Sequence, residues 1–290
     1  MGPVLELQNV TKKFPGFTLL DVSFSLEPGF IMGFIGANGA GKSTTIKLIM
    51  NLLRRDSGEI RVFGLDMSKH ENEIKNRIGF VYDENHFYEE LTIREMKTII
   101  APFYRDWDDN VYKRLLKDFE LPEKQRIKNL SKGMKMKFSL AIALSHHAEL
   151  LLMDEPTSGL DPLIRSDLLE ILVEVIQDER RSVLFSTHIT SDLDRIADYI
   201  TLIHEGKILF SMGKDELLEH YTLIKGEKSL LGQELFSYLV GYRENQFGFE
   251  GLVTNKNELQ PLLKGKAIWE RPSLEEVMLY CTRRNVGCCG

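Results

Sequence analysis

Gly36-Ala37-Asn38-Gly39-Ala40-Gly41-Lys42-Ser43 has the spacing G-x-x-x-x-G-K-[ST], which suits a chain that cradles phosphate. Its glycines let the backbone curl so that successive N–H groups point inward, and a helix opening near Lys42 adds the positive end of its dipole. Lys42 can reach the β- and γ-phosphates of a nucleotide as a point charge, the Ser43 hydroxyl can ligate Mg²⁺, and Thr44 follows in the same first turn. A second cluster is acidic. The apolar run Leu150-Leu151-Leu152-Met153 ends in Asp154-Glu155-Pro156, which sets two carboxylates at the end of a buried strand, where open α/β sheets bind ligands. Asp154, continuing the strand, is placed to hold Mg²⁺ through its water shell, and Glu155 to face the γ-phosphate and polarise an attacking water. For either acid alone, an exposed acidic turn is the alternative.

Elements of two kinds must position these groups. Val4 to Leu26 alternates in strand fashion, with Pro15-Gly16 and Pro28-Gly29 as turns, and predicts an antiparallel sheet. The run from Ile31 to Ile35, the glycine-rich turn, and Ile46, Ile49, Met50 and Leu53 at helical spacing read as strand, loop and helix. Later apolar runs, Ile78 to Val81, Leu150 to Met153, Val183 to Phe185 and Ile200 to Ile203, alternate with helical segments, the rhythm of parallel strands covered by helices. A helical insertion with polar faces is expected over about 85–145. The expected class is α/β: a P-loop NTPase core with a leading antiparallel sheet over 1–213, then a small α/β extension over 214–290.

A phosphate loop leaves kinases, GTPases, helicases and ATPase motors open, and the ordered set of further motifs decides. Leu130-Ser131-Lys132-Gly133-Met134 stands ahead of Leu150 to Glu155; Ser158-Gly159-Leu160-Asp161 and Ser186-Thr187-His188 follow it; Phe14 lies in Lys13-Phe14-Pro15-Gly16. In this order the chain resembles the ATP-binding subunits of ABC transporters over roughly residues 3 to 213. The resemblance implies ATP and Mg²⁺ as ligands, with Phe14 stacking on adenine and His188 sensing the γ-phosphate. It also implies that Ser131 and Gly133 grip the γ-phosphate of ATP held by a second subunit, with Asp161 at that dimer interface.

The residues keep their plainer readings beside these. Ser131 can cap the helix that follows it, or face outward with the Gly133 amide as an anion site. Asp161-Pro162 reads as a cap followed by proline at the first helical position, with Ile164, Leu168, Ile171, Leu172 and Val175 as the buried face. His188 can be an ordinary loop histidine, Phe14 can be core, and Phe17 competes for its role. Two departures stand out. Asp83 occupies the position where the family has a glutamine; its carboxylate can still bind Mg²⁺ or position water, but it brings negative charge near the γ-phosphate, which the metal must offset. Lys132 and Met134 replace the usual Gly and Gln of the signature.

The resemblance further implies a transmembrane permease as partner, docked on the helical insertion and the loop beginning at Asp83. Arg271-Pro272-Ser273-Leu274-Glu275-Glu276-Val277 resembles the end of exporter-type subunits and also reads as a capping box, Ser273 to Glu276. Every apolar run is too short to span a bilayer, no secretory pattern opens the chain, and a cytoplasmic place at the inner membrane face is expected. The net charge of −6, from 37 basic and 43 acidic residues, argues against a nucleic-acid partner. Hydrophobic residues at 43% supply a core. Cys281, Cys288 and Cys289 read as reduced tail thiols, and Asn255-Lys256-Asn257-Glu258 as a polar loop. The alternatives left open are a soluble non-transport ATPase of the same family and a nucleotide-gated regulator.

Overall fold

The computed structural model describes residues 2–82, 87–254, 256–263 and 265–283. They divide into two compact units, 1–208 and 209–290.

In the first unit, β1 (Leu5–Phe14) and β2 (Phe17–Leu26) form a hairpin closed at Phe14 opposite Phe17. The strand β3 (Ile31–Ile35) then leads into α1 (Lys42–Ile49). Next come β4 (Ser57–Val62), β5 (Leu65–Asp66), α2 (Glu71–Lys75) and β6 (Ile78–Tyr82). Three helices follow, α3 (Ile93–Ile100), α4 (Asp109–Asp118) and α5 (Lys132–Ser145), within the span expected to be helical. Each opens on a side chain that satisfies its free N–H groups: Thr92 in a capping box with Glu95, then Asp108, then Ser131. The polar faces expected of this span hold for α3 and α4 but not for α5, whose Phe138 to Ser145 are all buried. The unit continues with β7 (Leu150–Asp154), α6 (Pro162–Val175), β8 (Ser182–Thr187), α7 (Thr190–Ile196) and β9 (Tyr199–His204).

The parallel strands run in the order β9-β3-β8-β7-β6. Strands β3, β7 and β8 are buried at every position, which is why they read as unbroken apolar runs: both faces of a parallel sheet are covered. The antiparallel sheet, in the order β2-β1-β4-β5, shares one apolar core with α1 and the parallel strands, where Leu5, Leu19 and Val62 meet Phe34, Ile46 and Leu152. The carboxyl ends of β3, β7 and β8 are thereby brought to one edge.

The division at 208/209 and the one expected at 213/214 both fall on β10 (Lys207–Gly213). The second unit adds α8 (Lys214–His220), β11 (Thr222–Gly226), α9 (Gln233–Phe236), β12 (Leu239–Asn245), β13 (Gly248–Val253), α10 (Lys256–Leu263), β14 (Ala267–Glu270) and α11 (Leu274–Thr282). Its antiparallel sheet runs β12-β13-β11-β14 around Ile224, Leu239, Phe249, Val253 and Leu259. Two expectations need correction here. Lys256, Asn257 and Glu258 open α10 and are not a loop, because Leu259 and Leu263, one turn apart, bury against this core and draw the helix in; Asn255 lies outside the described residues. Cys281 is no tail thiol. It is half-buried in α11, where burial pushes its thiol up while a hydrogen bond with Tyr221 works the other way. Cys288 and Cys289 lie outside the described residues. The capping box at Ser273 and Glu276 forms as read.

Candidate functional site

The phosphate loop bridges β3 and α1. Gly36 is buried where the strand ends; Ala37, Asn38 and Gly39 stand exposed; Ala40 and Gly41 turn back inside. Gly41 has φ +116, a conformation other residues rarely adopt, and a side chain there would press on Leu19 and on the ring of Phe17 at 2.9 and 3.2 Å. No side chain caps α1, so its first-turn N–H groups are not taken up by a capping side chain. Ser43 is exposed and Thr44 half-buried in the first turn. Phe17, not Phe14, is the aromatic against the loop; Phe14 is half-buried with its ring centroid 6.4 Å from that of Phe17.

Lys42 is 5% exposed, and its amine donates to the carbonyls of Gly36 at 2.7 Å and Ala37 at 3.3 Å. It also stands 3.1 Å from Glu155 Oε1. That contact is ionic rather than a hydrogen bond: Oε1 is buried and makes no aligned hydrogen bond. The other oxygen, Oε2, meets His188 Nδ1 at 2.8 Å. Glu155 itself turns the chain out of β7 with φ +49, and its N–H donates to the Ser186 carbonyl at 3.0 Å. A line of three side chains in contact, Lys42, Glu155 and His188, thus runs along the sheet edge, with His188 on its open side.

Asp154 lies one residue back and is 7% exposed. Burial is the main cause that raises its carboxyl above the ordinary range, with the charge of Glu155 adding; the hydroxyls of Ser43 and Ser186 and the charge of Lys42 work against this. Ser186 Oγ donates to Asp154 Oδ1 at 3.1 Å. The Ser43 hydroxyl also meets this carboxylate, and Ser43 and Asp154, both hard oxygen donors, fit a Mg²⁺ ion, whose charge would offset the cost of a buried carboxylate. Asp83 lies outside the described residues; Tyr82, before it, pairs in register with Asp154.

The remaining predicted residues lie on helix ends. Ser131 is exposed and its hydroxyl accepts from the Met134 N–H at 3.2 Å, so the capping role holds. Gly133 is buried because α6 passes close: a Cβ there would lie 2.5 Å from Ile164 Cγ2. Asp161, also exposed, caps α6 by accepting from Leu163 and Ile164. Along α6 the buried face consists of Leu168, Leu169, Leu172 and Val175, while Ile164 and Ile171 are only half-buried. Sequence reasoning gave Phe17 only as a rival to Phe14, assigned Ser186 no role of its own, and passed over Thr157 and Asp192, which join the loops after β7 and β8. Contacts between residues 35 apart leave no local pattern.

A family model described as ABC transporter matches residues 19–158. The chain is 32% identical over 223 residues to the ABC transporter ATP-binding protein YtrB of Bacillus subtilis, covering 77% of this chain and 76% of that one. It is 33% identical over 220 residues to the bacitracin transport ATP-binding protein BcrA of Bacillus licheniformis, covering 75% and 72%. A solved structure of an ATP-binding subunit of an ABC transporter superposes with a TM-score of 0.66 at 30% identity, covering 74% of this chain and 91% of that one. These relatives do not favour the non-transport alternatives. This chain therefore belongs to the ATP-binding subunits of ABC transporters, and it binds and hydrolyses ATP to drive transport.

Proposed function

We propose that the chain closes head to tail with a second ATP-binding subunit over two molecules of ATP, and that the closing and reopening work a separate membrane permease. Lys42 and the loop N–H groups of Gly39, Gly41, Lys42 and Ser43 hold the β- and γ-phosphates. Ser43 and Asp154 would hold Mg²⁺, which would supply neutralisation of the phosphate charge when bound. Glu155 orients and polarises the attacking water, and His188 holds that carboxylate in place and meets the γ-phosphate. Ser131 and the Gly133 amide reach the ATP of the partner subunit, with Asp161 beside them. Phe14 or Phe17 stacks on the adenine. The chain works at the inner face of the membrane through its permease; no helix among the described residues is long and apolar enough to cross.

The direction is export, and the cargo class is peptide-like or amphipathic. A relative that shares 33% identity is named for bacitracin transport, and the terminal segment at Pro272 to Val277 resembles that of exporter subunits.

The observation that carries the reading is the contact of Glu155 with both Lys42 and His188, at 3.1 and 2.8 Å. Glu155→Gln keeps the size and loses the charge. It should bind ATP, lower turnover about 100-fold or more, and accumulate closed dimers on size-exclusion chromatography with ATP. Undiminished hydrolysis in that variant would falsify the assignment of Glu155.

A further inference from the structure

The loops that carry Glu155 and His188 are joined twice. The first rung is the 2.8 Å contact between those two side chains. The second lies deeper: Thr157 Oγ1, two residues beyond Glu155, donates to Asp192 Oδ2 at 2.7 Å, four residues beyond His188. Both partners are 1% exposed, so water does not compete for this bond. The other oxygen of Asp192 accepts from Arg165 Nε of α6, and Arg165 also donates to Ser191 Oγ at 2.7 Å. Ile189 N–H donates to Thr187 Oγ1 at 2.9 Å, which fixes the turn between His188 and α7. A buried carboxylate satisfied on both oxygens, one by a guanidinium, has no second arrangement of similar energy.

Glu155 needs such a hold. At φ +49 its backbone occupies the left-handed region, which costs free energy and persists only where surroundings over-determine it. Its own N–H bond to Ser186 acts before the bend; after it the Glu155 carbonyl accepts from the Ser158 N–H at 3.1 Å, a bond within the same loop, and Thr157 supplies the side-chain bond that ties the loop to a neighbouring one.

We propose that Asp192 is a positioning residue for ATP hydrolysis: through Thr157 it fixes the distance between the carboxylate of Glu155 and the imidazole of His188. Asp192 touches no reacting atom. Its effect passes through the backbone of residues 155–157 on one side and 188–192 on the other. This rests on the roles given above to Glu155 and His188. A misplacement of about 1 Å in a reacting group can cost about 100-fold in rate, so partial loosening of this rung should show in turnover before it shows in substrate binding.

The test uses the full chain and three variants in steady-state hydrolysis against Mg-ATP concentration: Thr157→Val, Asp192→Asn and both together, with Glu155→Gln alongside. Thr157→Val removes one oxygen at nearly constant volume, so it reports even where Asp192→Asn folds poorly. Each single variant is expected to lose about tenfold in kcat with KM within about twofold of the parent. The double variant should be no more than about twofold worse than the poorer single one, since both break the same bond. Thr157→Ser, which restores the hydroxyl, should restore kcat. The proposal is overturned if Thr157→Val hydrolyses at the parental kcat, whether or not its melting temperature falls, or if the two losses multiply in the double variant. Glu155→Gln separates the two levels: its full activity sinks the site reading and this proposal together, whereas an inactive Glu155→Gln beside an active Thr157→Val removes the positioning role alone.

Discussion

Lys42 and Glu155 lie 5% and 15% exposed with opposite charges 3.1 Å apart, so removing either leaves the other without its counter-charge in a place largely shut off from water. Lys42→Ala leaves a nearly buried carboxylate without its cation and should cost about 3 kcal/mol in chemical denaturation of the nucleotide-free chain. Adding Glu155→Gln to it should return much of that loss. Asp154 behaves in the opposite sense. Its carboxyl is raised chiefly by burial, so folding favours the protonated form, and the stability this contributes is present at low pH and lost as pH rises through the raised value. Asp154→Asn, uncharged throughout, should therefore raise the melting temperature of the nucleotide-free protein near neutral pH, by about 2 °C or more. The gain should fade as pH falls toward the ordinary value of 3.8. The phosphate loop, Asp154 and Glu155 were legible in the sequence because a turn and its flanking strand and helix are local. The ion pair from Lys42 to Glu155 and the pairing of Glu155 with His188 were not, since they depend on the order in which strands lie side by side. Phe17 shows the same limit: hairpin registry, not spacing from Phe14, turns its ring onto Gly41.

Helices α5 and α6 meet where Gly133 faces Ile164, and the approach leaves no room for a methyl group. Gly133→Ala should cost about 1–3 kcal/mol, because the branched Ile164 side chain cannot swing clear as a flexible tip would. Urea denaturation of the full chain would measure it. The start of α5 allows its two readings to be separated. Ser131→Ala removes the cap and should cost about 1 kcal/mol. Ser131→Asp keeps a capping oxygen but adds negative charge, so stability should hold while hydrolysis falls wherever this helix end meets a phosphate of the partner's ATP. Equal ATPase rates in Ser131→Asp and the parent would leave Ser131 as a cap and nothing more. Caps were readable at this scale, Ser131, Asp161 and Ser273 alike, since a polar residue before an apolar-periodic run has a short-range effect. Helix α10 was not. Its first residues are polar, and what draws them into a helix is Leu259 meeting the core of the second unit.

The two units hold themselves together by different means. In the second, Glu250 of β13 is 13% exposed and accepts from Tyr280 at 2.6 Å, with Arg243 at 2.9 Å and Lys225 at 3.4 Å. Burial works to raise its carboxyl, but the Tyr280 hydroxyl and the two cations outweigh it and hold it below the ordinary value of 4.5. The stability it contributes is thus present above that value and lost as pH falls through the lowered one. Hydrogen exchange should show β11 to β14 opening more readily in Glu250→Gln at neutral pH, with the difference from the parent closing in acid. ATP, by contrast, should protect the first unit, by about 2.7 kcal/mol at 100 times its Kd. The alternation of apolar runs with helices announced the first unit because a covered parallel sheet needs both. In the second unit β11, β12 and β14 are only partly buried, so they leave no unbroken apolar runs and the pattern is weaker. Lys42 finally sets a threshold for the whole molecule's response. Its amine rests on the carbonyls of Gly36 and Ala37 and beside Glu155, so it yields only to a ligand richer in anionic oxygen. Adenosine, which brings none, offers nothing to exchange for those contacts, and should leave the lysine where it rests even if its base finds an aromatic ring.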